Sequence, residues 1–321
     1  MPSDETPPVR RASPPSPYHD SPPRRPIHPT VIFNPFARSE RAGALWLDLY
    51  RLSRGCHLKL TKGTGNATKK AAEAARSGSP VVIAAGGDGT INEVINGLVG
   101  TDAALGILPT GTANVLAREL GIPLDLKGAW EVIHAGHTTT VDLVRVDYES
   151  ATGPAVRHLV QLGGIGLDAH IVRNVTHKAK NRWGALSYVI EALKSWNTPL
   201  PEISLELDGS EKVAGSFVLI GNGRFYGGPF TVFHKASMSD GLLDLCVFQS
   251  RAPLDLLVYL QAVLRGVHHK TTGILYRHAH EVVVTSPSPV PVEVDGEFVG
   301  CLPGRLRVEP AALRILVPTQ K

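Results

Sequence analysis

The sequence predicts an α/β domain built on a parallel sheet, followed by a β-rich domain. Three observations carry this. The chain has 321 residues, which suits about two domains, each large enough to bury a core. From residue 30 to 135, strand-like and helix-like segments alternate, the pattern of a parallel sheet with helices on both faces. Beyond about residue 140, short apolar runs take over, several of them separated by Asp-Gly turns.

Residues 1–28 hold paired prolines among Ser, Arg and Asp, and are too poor in apolar side chains to bury a core. They are expected to form a disordered tail, more simply inert than a proline-rich ligand. Thr30–Phe33 reads as the first strand, stopped by Asn34-Pro35. Ala42–Leu52 reads as a helix with Leu45, Leu49 and Leu52 along one side, and His57–Thr61 as a second strand with Leu58 and Leu60 alternating. A loop, Lys62–Asn66, leads into an Ala- and Lys-rich helix, Ala67–Arg76. Val81–Ala85 is a short β-branched run fit for a buried parallel strand, and Ala104–Leu108 is a fourth strand. The turn Pro109–Asn114 precedes a helix, Val115–Leu120, closed by Gly121-Ile122-Pro123. The loops after these strands share the carboxyl edge, where such sheets bind ligands.

Gly86-Gly87-Asp88-Gly89 follows the third strand at once, and Thr90-Ile91-Asn92-Glu93 then has the form of a capping box. Ile91, Val94, Ile95 and Leu98 lie on one face at helical spacing. The first turn of such a helix points unpaired N–H groups at an anion, and glycines admit a phosphate where a Cβ would block it. Asp88 adds a carboxylate, which repels phosphate unless a metal or a proton intervenes. A nucleotide with Mg²⁺ is the guest this combination fits. No Gly-Lys-Ser/Thr follows, so the stretch is not a P-loop. A plain strand-to-helix turn is the competing account of a short glycine turn, and Thr112 could cap rather than bind.

In the second half, Thr139–Val146, His158–Leu162, Ile203–Leu207, Ser216–Ile220, Leu242–Phe248, Glu281–Thr285, Pro291–Val294, Leu306–Val308 and Leu313–Val317 read as strands. Asp208-Gly209, Asp240-Gly241 and Asp295-Gly296 read as hairpin turns. Helices are expected near Ala185–Trp196 and Pro253–Val267, the latter docked on its own domain through Leu256, Leu257, Leu260 and Leu264. Trp46, Trp183, Trp196 and Tyr188 are expected in the core, and His268, His269, His278 and His280 in a solvated loop, since their spacing matches no zinc pattern.

Hydrophobic residues make up 43% and charged residues 19%, a soluble globular composition. The formal charge of +4 favours phosphates or an anionic membrane surface, but is too small to argue for nucleic acid. Cys56, Cys246 and Cys301 are odd in number and far apart, which points to reduced thiols and a cytoplasmic setting. There is no run of ~18 apolar residues and no apolar leader near the N-terminus.

Taken together, Gly86–Leu98 resembles the signature of the diacylglycerol kinase catalytic domain, a family that includes bacterial soluble lipid kinases, sphingosine kinases and ceramide kinase. Pro109-x-Gly111-Thr112-x-Asn114 with Ala117-Arg118 is similar to its second motif, and Gly163–Ala169 to its third. Gly221-Asn222-Gly223 with Gly227-Gly228, then Asp240–Leu245, resembles the fourth, and Asp295-Gly296-Glu297 the last. The motifs stand in the family's order across about residues 30 to 317.

The resemblance implies a doubly wound nucleotide-binding α/β domain at 29–140, completed by 309–321, and a β-sandwich at 141–308, with the active site in the cleft between. It implies Mg²⁺- and ATP-dependent phosphorylation of a lipid hydroxyl, that of a diacylglycerol or a sphingoid-like alcohol, by an enzyme peripheral to the membrane. A homodimer is left open. By the resemblance ATP would meet Thr61, Gly86, Gly87, Asp88, Gly89, Thr90, Ile91, Asn92 and Thr112, joined by Gly111, Asn114 and Asn34 at the same edge. Glu297 would accept the proton, with Asp88 and Asp295 in the catalytic set. Mg²⁺ would be held by the backbone of Ser237 and Leu242 and the side chain of Asp240. The chain departs from the family at Phe36-Ala37-Arg38, at Pro229 and at His234. Two other readings remain. An NAD kinase shares the Gly-Gly-Asp-Gly-Thr core, but Asn92-Glu93, Asn96-Gly97 and Gly111–Asn114 favour the lipid branch. A silent nucleotide- or lipid-binding regulator is the third, and Asp88 with Glu297 argues against it.

Overall fold

The structure is a computed structural model and describes residues 28–35, 42–174, 200–226, 230–250 and 252–319. The expectations for the tail, for Phe36-Ala37-Arg38, for the helix near Ala185–Trp196 with Trp183 and Tyr188, and for Gly227-Gly228-Pro229 fall outside the described residues. So do the side chains of Leu45, Trp46, Leu256, Leu257, Leu260 and Leu264.

The first half is a parallel sheet in the order β2-β1-β3-β4, formed by β1 (Thr30–Phe33), β2 (His57–Leu60), β3 (Val81–Gly86) and β4 (Ala104–Pro109). Helices α1 (Ala42–Leu52), α2 (Asn66–Arg76), α3 (Asp88–Leu98), α4 (Val115–Glu119) and α5 (Leu126–Ala135) connect and follow these strands. Ile91, Val94, Ile95 and Leu98 are all buried, as their helical spacing requires. They share one core with Val31, Ile83, Leu105 and Ala71. Gly121, at φ +67, ends α4 in the left-handed conformation that a glycine after a helix supplies.

The backbones of α2 and α3 approach closely at Gly97. A Cβ there would stand 2.4 Å from the Thr68 carbonyl oxygen and 2.7 Å from the Ala71 Cβ. Gly97→Ala is therefore expected to destabilise the fold by about 1–3 kcal/mol through overpacking, read as a lower urea midpoint with an unchanged slope.

The second half folds into two layers that share one strand. Its elements are β5 (Thr138–Ser150), β6 (Gly153–Leu159), β7 (Leu162–Ile165), α6 (Leu167–Asn174), β8 (Ile203–Leu207), β9 (Glu211–Gly215), β10 (Phe217–Gly221), β11 (Phe225–Tyr226) and β12 (Phe230–Thr231). Then come β13 (Leu243–Phe248), α7 (Pro253–Leu264), β14 (Ile274–Ala279), β15 (Glu281–Thr285), β16 (Pro291–Val294) and the long β17 (Glu297–Leu316). One layer runs β14-β13-β10-β7-β16-β17; in the other, β17 pairs with β5 and β15, which carry β6, β8 and β9. Val218, Ile220, Leu245 and Val247 from the first layer meet Val144, Leu205, Val282 and Leu306 from the second, which is the interior of a β-sandwich. Phe217, Leu219, Cys246 and Phe248, alternating with them, face the other way against Tyr259 and Ala262 of α7. Helix α7 thus docks on its own domain.

The far end of β17 leaves the sandwich. Ile315 pairs in parallel with Leu105 of β4, and Leu313 and Ile315 lie in the first core. A single sheet therefore runs through both halves.

Four sequence expectations need correction. His158–Leu162 is not one strand: β6 ends at Leu159 and β7 begins at Leu162, because the amides of Val160, Gln161 and Leu162 all turn to the Asp295 carboxylate. Leu306–Val308 and Leu313–Val317 are not separate strands; up to Leu316 they belong to β17, which bulges between Glu309 and Leu313. Asp240-Gly241 does not join a hairpin; it lies in the loop before β13, with Asp240 Oδ1 accepting from the Leu242 amide at 3.0 Å. By contrast Asp208-Gly209 (φ +49 and +68) and Asp295-Gly296 (φ +48 and +81) do turn hairpins in the left-handed conformation. Finally His268 is not solvated. It is fully buried, with Nε2 2.7 Å from the Val232 carbonyl, and burial pushes its pKa down.

Candidate active site

The capping box expected at Thr90–Glu93 does not form. Helix α3 begins at Asp88, with Gly87 as its cap and no side-chain cap, so Thr90 is already inside the helix. Glu93 instead reaches the neighbouring helix, accepting from the amides of Gly65 (2.8 Å) and Ala67 (2.9 Å) at the start of α2. Negative charge belongs at a helix N-terminus, and here the cap comes from another helix. Thr90 Oγ1 accepts from the Asn34 side chain at 3.3 Å, tying the end of β1 to the same corner.

The glycines of the two corners fit each other. A Cβ on Gly111 would lie 2.6 Å from the Gly87 Cα, and one on Gly86 would lie 2.5 Å from the Thr90 Cβ. Their small size is thus demanded by the protein's own packing, and the corners touch at Gly87 and Gly111. Asp88 fastens them. Its Oδ2 accepts from the Asn114 amide at 3.0 Å and its Oδ1 from the Val115 amide at 2.7 Å, so this carboxylate caps α4. Thr112 is not the cap; Asn114 is, at φ +48, and its Oδ1 accepts from the Gly111 amide at 2.9 Å. Thr61 follows β2 at the same edge, its amide bonded to the Phe33 carbonyl at 2.8 Å. The buried Thr110 hydroxyl in the second corner has no partner among the described residues, which suits a site for a polar ligand.

Glu297 stands opposite. It opens β17 directly after the Asp295-Gly296 turn, and its Oε1 lies 2.8 Å from where a Cβ on Gly89 would be. The sandwich thus delivers a carboxylate against the first glycine corner. Its other oxygen, Oε2, accepts from Arg157 of β6 at 2.9 Å.

Other expected site residues turn inward. Ile91 packs in the core, and its amide is bonded to the Gly87 carbonyl. Asn92, 1% exposed, gives its amide group to Asp295 Oδ2 (2.6 Å) and the His158 carbonyl (3.0 Å), while its Oδ1 accepts from Arg157 Nε at 2.9 Å. Asn92 therefore clamps the two halves and has no group left for a nucleotide. Asp295 is similarly committed, accepting from Asn92 and from the amides of Val160, Gln161 and Leu162 at 2.9–3.0 Å. It holds the turn that presents Glu297.

Burial pushes the Asp295 pKa up to about 6, against the opposing pull of those amides. An acid whose pKa is higher in the folded state than in the unfolded one adds stability below about pH 4, and that stability is lost as the pH rises through about 6. The unfolding free energy of Asp295→Asn should therefore vary less with pH over this interval than that of the parent chain, as measured by urea titration.

Beneath the turn, Glu293 Oε2 accepts from the Gly296 amide at 2.8 Å, and Tyr226 donates to Asp168. Burial, then repulsion from Asp168, raises the Glu293 pKa well above the usual carboxylate range. A second clasp crosses the halves where Glu119 of α4 accepts from Arg224 Nε and the Arg224 amide, both at 2.8 Å. Ser237, Asp240 and Leu242 share one loop, pinned by Asp142, whose Oδ2 accepts from the Gly241 amide at 2.8 Å. Among the described residues no three His, Cys, Asp or Glu side chains converge to hold a metal.

Comparison with known proteins decides the family. Residues 28–146 match the diacylglycerol kinase catalytic domain, and residues 163–317 match the YegS C-terminal NAD kinase beta sandwich-like domain. A diacylglycerol kinase of Mycobacterium tuberculosis is 33% identical over 252 residues, covering 77% of this chain and 80% of its own length. The chain belongs to the diacylglycerol kinase catalytic-domain family. A diacylglycerol kinase of Bacillus subtilis is 31% identical over 268 residues, 81% of this chain and 85% of that one. A probable lipid kinase YegS of Shigella dysenteriae is 32% identical over 269 residues, 82% and 86%. The crystal structure of a putative diacylglycerol kinase from Bacillus anthracis superposes with a TM-score of 0.75 at 23% identity, covering 94% of this chain and 98% of that one. Yeast NADH kinase has the same fold more distantly, with a TM-score of 0.53 at 12% identity and coverage of 93% and 88%. The diacylglycerol kinase family makes this chain a kinase, with ATP as the phosphoryl donor the family implies. No helix among the described residues is long and apolar enough to cross a membrane.

Sequence reasoning missed Arg157, His158 and the Glu119–Arg224 clasp. Arg157 meets Asn92 across 65 residues of sequence and Glu297 across 140, so no local pattern reports it.

Proposed function

We propose that the chain transfers the γ-phosphoryl group of Mg²⁺-ATP to the hydroxyl of a lipid alcohol, of the diacylglycerol or sphingoid-like class. The observation that carries this is the position of Glu297 Oε1 against Gly89, at the seam where the sandwich meets the nucleotide-side corner. The lipid oxygen forms the new bond to the γ-phosphorus, the bond to the β-phosphate oxygen breaks, ADP leaves, and the hydroxyl proton passes to Glu297 Oε1. The backbone at Gly86–Thr90 and at Thr112-Ala113 faces the phosphates, the Gly111 and Asn114 amides being spent within the protein, and the Thr110 hydroxyl offers a further polar contact. Asp88 keeps the corners together. Mg²⁺, when bound, would supply positive charge to offset the negative charge of the phosphates. Asp240 and the backbone oxygens of Ser237 and Leu242, all hard oxygen donors from one loop, are the groups that would hold it.

The test is incubation with labelled ATP, Mg²⁺ and a panel of lipid alcohols beside NAD, followed by solvent extraction. Label in the organic phase is the expected result. Label on NAD selects an NAD kinase, and label on neither selects a silent regulator.

A further inference from the structure

The side chain of Glu297 has three rotatable bonds, and a proton acceptor must be held within a fraction of an ångström of its working position. The turn fixes only its Cα. We propose that Arg157 is the positioning residue for Glu297, and that it takes its own position from Asn92 on the helix carrying the first glycine corner. The inference deepens the lipid-kinase reading and rests on the role given there to Glu297.

The geometry forms a chain of fixed links. Asp295 and the His158 carbonyl hold the Asn92 amide group, so Asn92 Oδ1 has one orientation. That oxygen takes two bonds from Arg157, from Nε at 2.9 Å and from one terminal nitrogen at 2.6 Å. The same terminal nitrogen then meets Glu297 Oε2 at 2.9 Å. A guanidinium is planar, so fixing one edge aims the whole group. Holding Oε2 leaves Oε1 directed at Gly89. The pair is partly shielded, with the Arg157 side chain 20% and the Glu297 side chain 35% exposed, so it escapes some of the screening that weakens surface ion pairs. Strand β6 is itself docked on α3, since the His158 amide donates to Asn96 Oδ1 at 2.8 Å and the Asn96 side chain donates to the His158 carbonyl at 3.1 Å. The acceptor is thus referenced to the nucleotide corner through Arg157, not only to its own strand.

The test is a double-mutant cycle on the full chain, with kcat and the KM for ATP measured using whichever lipid alcohol the parent phosphorylates, and folding followed by thermal melting. Arg157→Ala should lower kcat about 30–100-fold, with the KM for ATP within about threefold of the parent, as expected for a misplaced catalytic group. Arg157→Lys should fall between, because an ammonium on a flexible stem keeps the charge but lacks the rigid planar fork that ties Glu297 to Asn92. In the Glu297→Gln background, Arg157→Ala should cost no more than about twofold further, since its effect runs through the missing carboxylate. Independent, multiplying losses would overturn the proposal, and so would a raised KM for ATP with kcat kept, which would mean that Arg157 grips the nucleotide directly. If Arg157→Ala does not fold, the cycle is read with Arg157→Lys, where the same non-additivity is expected and its absence counts equally against the idea. A parent chain that transfers phosphate while ignoring both Arg157 variants sinks the positioning role and leaves the lipid-kinase reading standing. A parent chain that phosphorylates no lipid alcohol removes that reading, and this inference with it.

Discussion

Replacing Glu297 by Gln is expected to lower kcat by about 10²–10⁴-fold while the affinity for ATP stays within a few-fold of the parent. The substitution keeps the shape of the side chain and its contact with Arg157, but removes the group that takes the hydroxyl proton. The split between kcat and affinity follows from the architecture. The phosphates are assigned to the two glycine corners of the first half, whereas Glu297 comes from the sandwich and meets the first corner at Gly89. A steady-state rate with ATP titration gives both numbers. If ATP binding collapses while the chemical step survives, Glu297 is a nucleotide ligand and the proton acceptor lies elsewhere.

Asp88→Asn should be damaging in two ways at once. The parent carboxylate accepts from both the Asn114 and the Val115 amides. An Asn side chain has one acceptor oxygen and turns an NH₂ toward the other amide, leaving a buried donor facing a donor. That mismatch costs about 1–3 kcal/mol, which corresponds to a fall in Tm of roughly 2–4 °C per kcal/mol for a chain of this size class. Transfer should fall further than stability alone explains, by at least about 100-fold, because the two corners lose the side chain that registers them. Calorimetry and a transfer assay at a temperature where the variant is fully folded separate the two effects. Full activity in the folded variant would remove Asp88 from the machinery.

The first half was legible because its signals are local. The apolar runs at Val81–Ala85 and Ala104–Leu108, each followed by a glycine turn, give strands whose ends lie within a residue or two of those observed. The face made by Ile91, Val94, Ile95 and Leu98 is buried as its period demands. What the sequence misassigned is the partner of each polar side chain. Glu93 sits three residues after Thr90 and reads as half of a capping box, yet it serves a different helix. Asn92 and Asp295 read as ligand and catalyst because they stand in motifs; in space they bond to each other. The glycines read as room for phosphate, and a Cβ at them would meet the Thr90 and Glu297 side chains or the facing glycine backbone. Contacts between residues far apart in the chain depend on how β6 and β17 are laid across α3, which no short window encodes.

The passage of β17 from the sandwich into the first sheet has a mechanical consequence. Two lobes joined by loose linkers can swing like jaws, but here one strand, bulged between Glu309 and Leu313, leaves the sandwich and pairs with β4 at Ile315. Opening the cleft as a hinge would shear that pairing along with the Asn92 and Glu119 clasps. The expected consequence is a cleft whose width changes little when substrates arrive. Small-angle scattering should return the same radius of gyration with and without nucleotide.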